Sequence, residues 1–330
     1  MTKPRRPSPR RRGTTRTALL IIAKWVMFLV VVVFVGRSLV VQCLEVQWSQ
    51  LRFRPGILVA AAASALAGKA VVVVAFRSLL RPFCQPPGWR EMMTVAWIPP
   101  IGKYIPGKVA SVAGAVWLLA RNNVPGAVAV GVVFILNGLM VVLGLILSIP
   151  LIFWGPIRRE IPWAWPGAMA LIVGGLIFLH PKVFSTVGNF VLRKMGRQPV
   201  ASMPRVRDYP PVLLAMLGQS ALLGLSLWLV TYAITDISAG WILYYISAMC
   251  LASTLGFLAV FAPGGLGVRE GILLFVLGFA STGGGAVAGI PVVVILDRIL
   301  KTVVEIVLAG IGFVIMLLLP KKPKKETGVV

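Results

Sequence analysis

Apolar residues fall along this chain in long continuous runs, not at the spacing of an amphipathic helix or a half-buried strand. Runs of about 18 residues or more with few charges are the mark of helices that cross a bilayer. They cover 18–41, 57–76, 126–154, 163–180, 211–235 and 286–319. A helix rises about 1.5 Å per residue, so about 20 residues cross the hydrocarbon core. Each run is therefore predicted to form one full crossing. Two further apolar stretches are interrupted. The first, 92–120, is cut by Pro, Gly and charge at KYIPGK (Lys103–Lys108) into pieces 92–100 and 109–120, each too short to cross. The second, 241–281, is cut at PGGLG (Pro263–Gly267) into a longer arm, 241–262, and a shorter one, 268–281. Both read as re-entrant helical hairpins. Irregular backbone at membrane depth is tolerated only against protein or a water-filled cavity, so both breaks are expected to face an interior cavity.

The order span, span, hairpin, span then occurs twice, over 18–154 and over 163–319. With three crossings in each repeat, the second starts on the opposite side from the first. The predicted fold class is all-α: a polytopic membrane protein with six full transmembrane helices plus two re-entrant helical hairpins, arranged as inverted repeats within one transmembrane domain, 18–319. That plan is common among transporters, which bind their cargo near the midplane at broken helices. Residues 1–17, polar and basic, are expected to be a disordered cytoplasmic tail, and 320–330 a second basic cytoplasmic tail.

Charge supports this topology. The 330 residues are 58% hydrophobic and only 13% charged, which excludes a soluble enzyme, a nucleic-acid-binding domain and a disordered protein. The net charge of +24 is concentrated in tails and loops. With both termini inside, 20 basic residues lie in cytoplasmic segments against 4 in the opposite loops. That asymmetry follows the positive-inside rule and predicts the cytoplasmic membrane of a prokaryote. The polybasic N-terminal tail suits anionic lipid and topology, not nucleic acid. One histidine and the scattered Cys43, Cys84 and Cys250 exclude the common metal sites and a disulfide framework. No cofactor or metal is expected. Trp154, Trp163, Trp165, Trp241, Tyr244 and Tyr245 read as an aromatic belt at the outer interface.

Few charges remain inside the apolar segments, and these are the candidate chemistry. They are the bases Lys69, Lys103, Lys108, Arg121, Arg269, Arg298 and Lys301, with the acids Glu270, Asp297 and Glu305. A charge at the bilayer centre costs about 2.5–3.5 kcal/mol on insertion scales, so acids, water or an anionic ligand must offset the excess of bases. Asp297, Lys301 and Glu305 recur at every fourth position and share one helix face with Arg298. They form either a salt-bridge ladder, with Lys301 between the two acids, or part of a site in which Arg298 is the least committed member. Arg269 and Glu270 open a half-helix after the glycines of PGGLG. Free N–H groups and the Arg269 fork suit a phosphate there, unless Arg269 only pairs with Glu270. Lys108 opens the second arm of the first hairpin, whereas Lys103 also fits interfacial snorkelling. Lys69 lies in ASALAGKAV, whose small residues allow close helix packing and border the cavity.

The breaks also carry a resemblance. FAPGGLGVREGILLFVL (261–277), with Asp297-Arg298 in the last apolar helix, resembles the lysylphosphatidylglycerol synthase transmembrane region, or flippase-like, family. IGKYIPGKVASVAGAVWLLARNNVPGA (101–127) resembles the first-half motif of its stand-alone members. The chain departs from many members in having no acid at Gly107-Lys108-Val109, and in having Asn137 where they carry one in the following span. The resemblance implies a stand-alone membrane member without the soluble synthase domain, hence no enzyme activity. It implies translocation of an anionic phospholipid or a polyprenyl-phosphate-linked sugar across the cytoplasmic membrane. The expected phosphate-binding residues are Arg269, Arg298, Lys108 and Lys69. Glu270, Asp297, Lys301, Glu305, Pro106, Gly107, Pro263, Gly264, Gly265 and Gly267 are expected to support them. The other reading is a non-transporting membrane partner of a glycosyltransferase or another envelope-assembly enzyme, docked on the basic loop 181–210.

Overall fold

A computed structural model describes residues 51–104, 109–153, 155–179, 206–259, 262–282 and 289–319, with the isolated positions Arg37, Leu44 and Thr186. The described chain is helical and contains no strand. Its main helices are α1 (Pro55–Leu80), α2 (Trp89–Trp97), α3 (Val109–Arg121), α4 (Gly126–Leu147), α5 (Ala164–Leu179), α6 (Pro210–Ile234), α7 (Ile242–Leu258), α8 (Val268–Thr282) and α9 (Ile290–Leu318). Proline begins α1 and α6 and stands second in α9, where a missing N–H costs nothing.

Six helical segments are long and apolar enough to span a membrane: Pro55–Leu80, Gly126–Leu151, Pro210–Ile234, Ala239–Leu258, Pro263–Ala280 and Ile290–Leu318. The protein is therefore a multi-pass membrane protein. The number matches the expected six, but the members differ. Four coincide with the runs at 57–76, 126–154, 211–235 and 286–319. The run at 163–180 forms α5, which at 16 residues is shorter than a span. The run at 18–41, like both tails, Lys108, His180 and most of loop 181–210, lies outside the described residues. In the 241–281 stretch both arms reach spanning length, because the 3-10 turns Ala239–Trp241 and Pro263–Gly265 extend α7 and α8.

The second break forms at PGGLG as expected, whereas at the first the helix ends before KYIPGK, of which only Lys103 and Tyr104 are described. Helix α2 stops at Trp97 because Pro99 and Pro100 have no N–H to donate. The chain continues as a 3-10 turn, Pro99–Tyr104. At 9 and 13 residues, α2 and α3 are about 14 and 20 Å long, short of a bilayer core. The second break turns on Gly264, Gly265 and Gly267, all left-handed, with φ of 62°, 69° and 83°. A Cβ on Gly265 would lie 2.9 Å from the Gly256 carbonyl oxygen, so the turn sits directly on the backbone of α7. The two 3-10 turns touch: the Tyr104 ring packs over Gly264.

Helices α1 and α6 are antiparallel and pack along their whole length. The Arg52 and Arg54 N–H groups donate to the carbonyls of Ile234 and Ala233 at 2.9 and 3.1 Å. Ser64 Oγ donates to the Leu222 carbonyl at 2.8 Å, and Gly68 faces Leu222 closely enough that a Cβ would lie 3.2 Å from the Leu222 Cβ. Small residues at 60–68 permit this approach. Helix α2 packs on α9, α7 packs on α4, and α5 packs on the outer side of α4. One apolar core joins the C-terminal half of α1, α2, α3, α4 and the start of α6. A second joins the end of α6, α7, α8, the start of α9 and Ala61 at the other end of α1. The aromatic belt is partial. Trp163 is exposed, but Tyr245 is fully buried and the Tyr244 hydroxyl donates to the Val276 carbonyl, tying α7 to α8.

At one end of the α1–α6 pair, Asp236 binds Arg52 at 3.2 Å and also Arg54, whose guanidinium lies over the Tyr232 ring. The Arg54 hydrogen bond, with the charges of Arg54 and Arg52, holds the Asp236 carboxyl below its ordinary value. A depressed carboxylate adds stability above its unfolded value and loses it as pH falls through the folded one. This exposed clasp is expected to weaken only on acidification. In thermal melts between about pH 3 and 7 the wild type should lose more on the acid side than Asp236→Asn does. Identical curves would mean that the clasp adds nothing.

Candidate anion site between the helix breaks

Helix α9 supplies the charged stripe. Asp297 is completely buried, and Lys301 and Glu305 are 3% and 7% exposed, whereas Ile299, Val303 and Ile306 on the other face are more than half exposed. The arrangement inverts that of a soluble amphipathic helix: the apolar face points outward and the ionic face meets protein.

Each interior acid is used. Asp297 accepts from Arg269 (2.7 Å), which enters from α8, and from Lys301 (2.5 Å), one turn along its own helix. Lys301 Nζ also donates to the Leu223 carbonyl of α6 at 3.1 Å and approaches Met249 Sδ at 3.4 Å. Glu270 accepts the Gly267 N–H at 2.8 Å, capping its own helix, while its other oxygen lies 3.2 Å from Arg298. Arg298 further reaches the Gly264 carbonyl at 3.4 Å. Glu305 receives Lys69 at 2.8 Å, Lys103 at 2.6 and 2.5 Å, and the Tyr104 hydroxyl at 3.2 Å.

Two pairings left open by the sequence do not form. Lys301 does not bridge Asp297 and Glu305, because Glu305 is taken from the other side by two lysines. Arg269 does not pair with its neighbour Glu270. Successive helix residues diverge around the axis, so their side chains do not face each other. The pairs are crossed instead, Arg269 with Asp297 and Arg298 with Glu270, and together they staple α8 to α9.

A cavity of about 330 Å³ opens beside this network. Lys69, Lys103, Arg269, Lys301 and Glu305 line it, as do Gly264 and the uncharged polar Asn137, Gln219, Ser220, Ser253 and Thr254. Phe76, Trp97, Leu136 and Met140 are among its apolar walls. Of the expected phosphate ligands, Lys69 and Arg269 face the cavity. Arg298 does not, being held by Glu270 and Gly264. Lys108, Pro106 and Gly107 lie outside the described residues. Pro263, Gly264, Gly265 and Gly267 build the turn as expected. Lys103, a candidate that fitted interfacial snorkelling as well, reaches Glu305, and so does Tyr104, which was not expected here. A lysine inside a proline-flanked 3-10 turn has no helical periodicity to aim it, and only its place in a break at membrane depth pointed inward.

The charges do not balance. Among the described residues five bases (Lys69, Lys103, Arg269, Arg298, Lys301) meet three acids (Glu270, Asp297, Glu305), and on the cavity wall four bases meet one acid. Arg269 also keeps a buried Nε–H with no partner among the described residues. The arrangement can hold an anion. Among the described residues no group of His, Cys, Asp and Glu could hold a metal ion. No protein-family model and no curated protein matches the chain.

Proposed function

We propose that this protein is a lipid translocator of the flippase-like family, taking the phosphate of an anionic phospholipid or a polyprenyl-phosphate-linked sugar into the cavity between its two helix breaks. The observation that carries this reading is the uncompensated positive charge of the cavity wall. Buried cations without enough acids need an anion, and apolar walls beside the cations suit a ligand that is part headgroup and part hydrocarbon. A buried interior with balanced charge and no cavity would have suited a non-transporting scaffold.

The packing supports an inverted repeat. Exchange α1 with α6, α2 with α7, α3 with α8 and α4 with α9, and the helix contacts map onto one another. Thus α2 on α9 becomes α7 on α4, and each half's core borrows the first part of the other half's α1 or α6. The antiparallel α1–α6 pair and the touching 3-10 turns then lie on the pseudo-twofold axis. In this reading α2–α3 and α7–α8 are the two re-entrant hairpins, the second with arms of spanning length, entering from opposite faces of a prokaryotic cytoplasmic membrane, with both termini cytoplasmic. Rocking of the halves about the α1–α6 axis passes the headgroup across while its tails stay in lipid.

The test is lipid exchange in vesicles that contain the purified protein, comparing wild type with Arg269→Lys. Lysine keeps the charge toward Asp297 but lacks the planar fork and the free Nε–H. A charge-assisted hydrogen bond contributes about 1.5–3 kcal/mol, so exchange should fall about tenfold to a hundredfold at equal protein density. Wild-type rates in the variant would remove Arg269 from the binding site. No exchange by the wild type with any anionic phospholipid or polyprenyl phosphate would remove the transport reading.

A further inference from the structure

Among the described residues Glu305 is the only acid on the cavity wall, and it sits beside the bases that would bind an incoming anion. Its carboxylate is 7% exposed and lies beneath Lys69 and Lys103, whose side chains are 23% and 26% exposed. All three side chains line the cavity, the lysines being the more exposed. Lys69 comes from α1 and Lys103 from the first 3-10 turn, both in the first half of the chain, while Glu305 belongs to α9 in the second. These two ion pairs tie the halves together at the cavity. Asp297 is placed differently: it is fully buried, does not line the cavity, and is held by Arg269 and Lys301 from its own half.

We propose that Glu305 competes with the anionic headgroup for Lys69 and Lys103, and takes up a proton when the headgroup displaces it, so that each anion moves with one proton. The inference rests on the lipid-anion reading above and adds its coupling ion. A phosphodiester oxygen that binds the two lysines from the cavity replaces a carboxylate that binds them from the wall. The displaced carboxylate is then buried without a cation. A buried, unpaired carboxylate is far costlier than its neutral acid, so it takes a proton from water and the carboxyl O–H forms. The charge closes. Two lysines with one carboxylate carry +1, and two lysines with one phosphodiester and one neutral acid also carry +1. The anion and proton together are neutral, and loading the site breaks the lysine bridges between the halves.

The groups that face Glu305 permit this exchange. Lys69 comes from α1, and Lys103 and Tyr104 from the 3-10 turn. Helix α6 offers no charged side chain along its length. On α9, Lys301 is occupied by Asp297 and the Leu223 carbonyl, and Arg298 by Glu270 and Gly264. From α8, Arg269 is bound to Asp297, and Glu270 to Arg298 and its own helix end. The acid and base of α2, Glu91 and Arg90, lie at its far end, with Glu91 beside Arg121 and Met316. After displacement no other described cation is left without an acid or carbonyl to take over Glu305.

The experiment titrates dioctanoyl-phosphatidylglycerol into the full-length protein in detergent by calorimetry, in buffers of different ionisation enthalpy. The lipid phosphodiester does not titrate between about pH 6 and 8, so any proton taken up belongs to the protein. Wild type should take up about one proton per lipid bound and bind more tightly as pH falls, by up to about tenfold per pH unit. In a Lys103→Arg background, whose guanidinium keeps its charge, Glu305→Gln should take up none and lose the pH dependence. Freed of its competitor, it should bind about tenfold tighter or more at the alkaline end. Lipid binding by wild type without proton uptake overturns the coupling and leaves the transport reading intact. Loss of binding in a well-folded Glu305→Gln makes Glu305 a structural strut and also overturns it. If that variant does not fold, the proton count of Lys103→Arg alone decides: one proton per lipid there belongs to Glu305, and none overturns the coupling. No lipid binding by wild type overturns both readings.

Discussion

Asp297→Asn should be the most damaging single substitution in the protein. Asp297 has no exposed surface and binds Arg269 at 2.7 Å and Lys301 at 2.5 Å. Asparagine fits the space but carries no charge, so two buried cations lose their acid together. Breaking one buried pair costs about 3–5 kcal/mol, mostly because the surviving charge stays buried. The variant is expected to accumulate poorly and to melt several degrees lower in detergent. The origin of the loss can be separated from shape. Adding Arg269→Met and Lys301→Met to Asp297→Asn removes the stranded charges and should recover most of the melting temperature, but not lipid exchange. If Asp297→Asn alone melts like wild type, the network is not what holds α8 to α9.

Gly265→Ala should have the next largest effect, through backbone alone. Gly265 has φ 69°, a left-handed conformation that costs an L-residue about 1–2 kcal/mol. The added Cβ would lie 2.9, 3.1 and 3.2 Å from the carbonyl oxygen, Cα and carbonyl carbon of Gly256. These are backbone atoms of α7 and cannot rotate away, so the turn must lift off the helix. That lift carries Gly264, whose carbonyl holds Arg298, and the start of α8, which holds Arg269. The expected loss is at least about 2 kcal/mol of stability, with lipid exchange reduced further than the melting shift alone accounts for. Gly310→Ala is the control. A Cβ there meets nothing within 4 Å, and alanine favours the helix over glycine by about 1 kcal/mol, so it should melt at or above the wild-type temperature. Equal effects at the two positions would show that the strained turn is not special.

Apolar run length and proline position determined much of this protein without help from the tertiary structure. Four spanning helices, the all-helical class and the two breaks follow from them, because a bilayer requires every backbone group to be bonded within its own helix. The α9 stripe was equally legible. Asp297, Lys301 and Glu305 share a face by spacing, and no packing can change that. Those positions supply Lys301 and Glu305 to the cavity wall and Asp297 behind it.

The partners of those charges were decided by the fold alone. Glu305 meets Lys69 and Lys103, which are 236 and 202 residues away in the chain. Nothing local to any of the three favours that meeting. It arises because the antiparallel packing of α1 on α6 and the contact of the two 3-10 turns bring both lysines to α9 from the first half. The same packing overrode the nearest-neighbour choices, Arg269 with Glu270 and Lys301 with Glu305. A charge in a low-dielectric interior takes the acid that its helix geometry can aim at, not the one closest in sequence. Lys103 shows this most plainly: its snorkelling stem fits an interfacial position equally well, and only the turn on which it sits directs it inward. Residue type and spacing determined which side chains could be ionic inside the membrane. Tertiary packing determined which of them face the cavity, which are consumed in holding helices together, and that bases outnumber acids where an anion can enter.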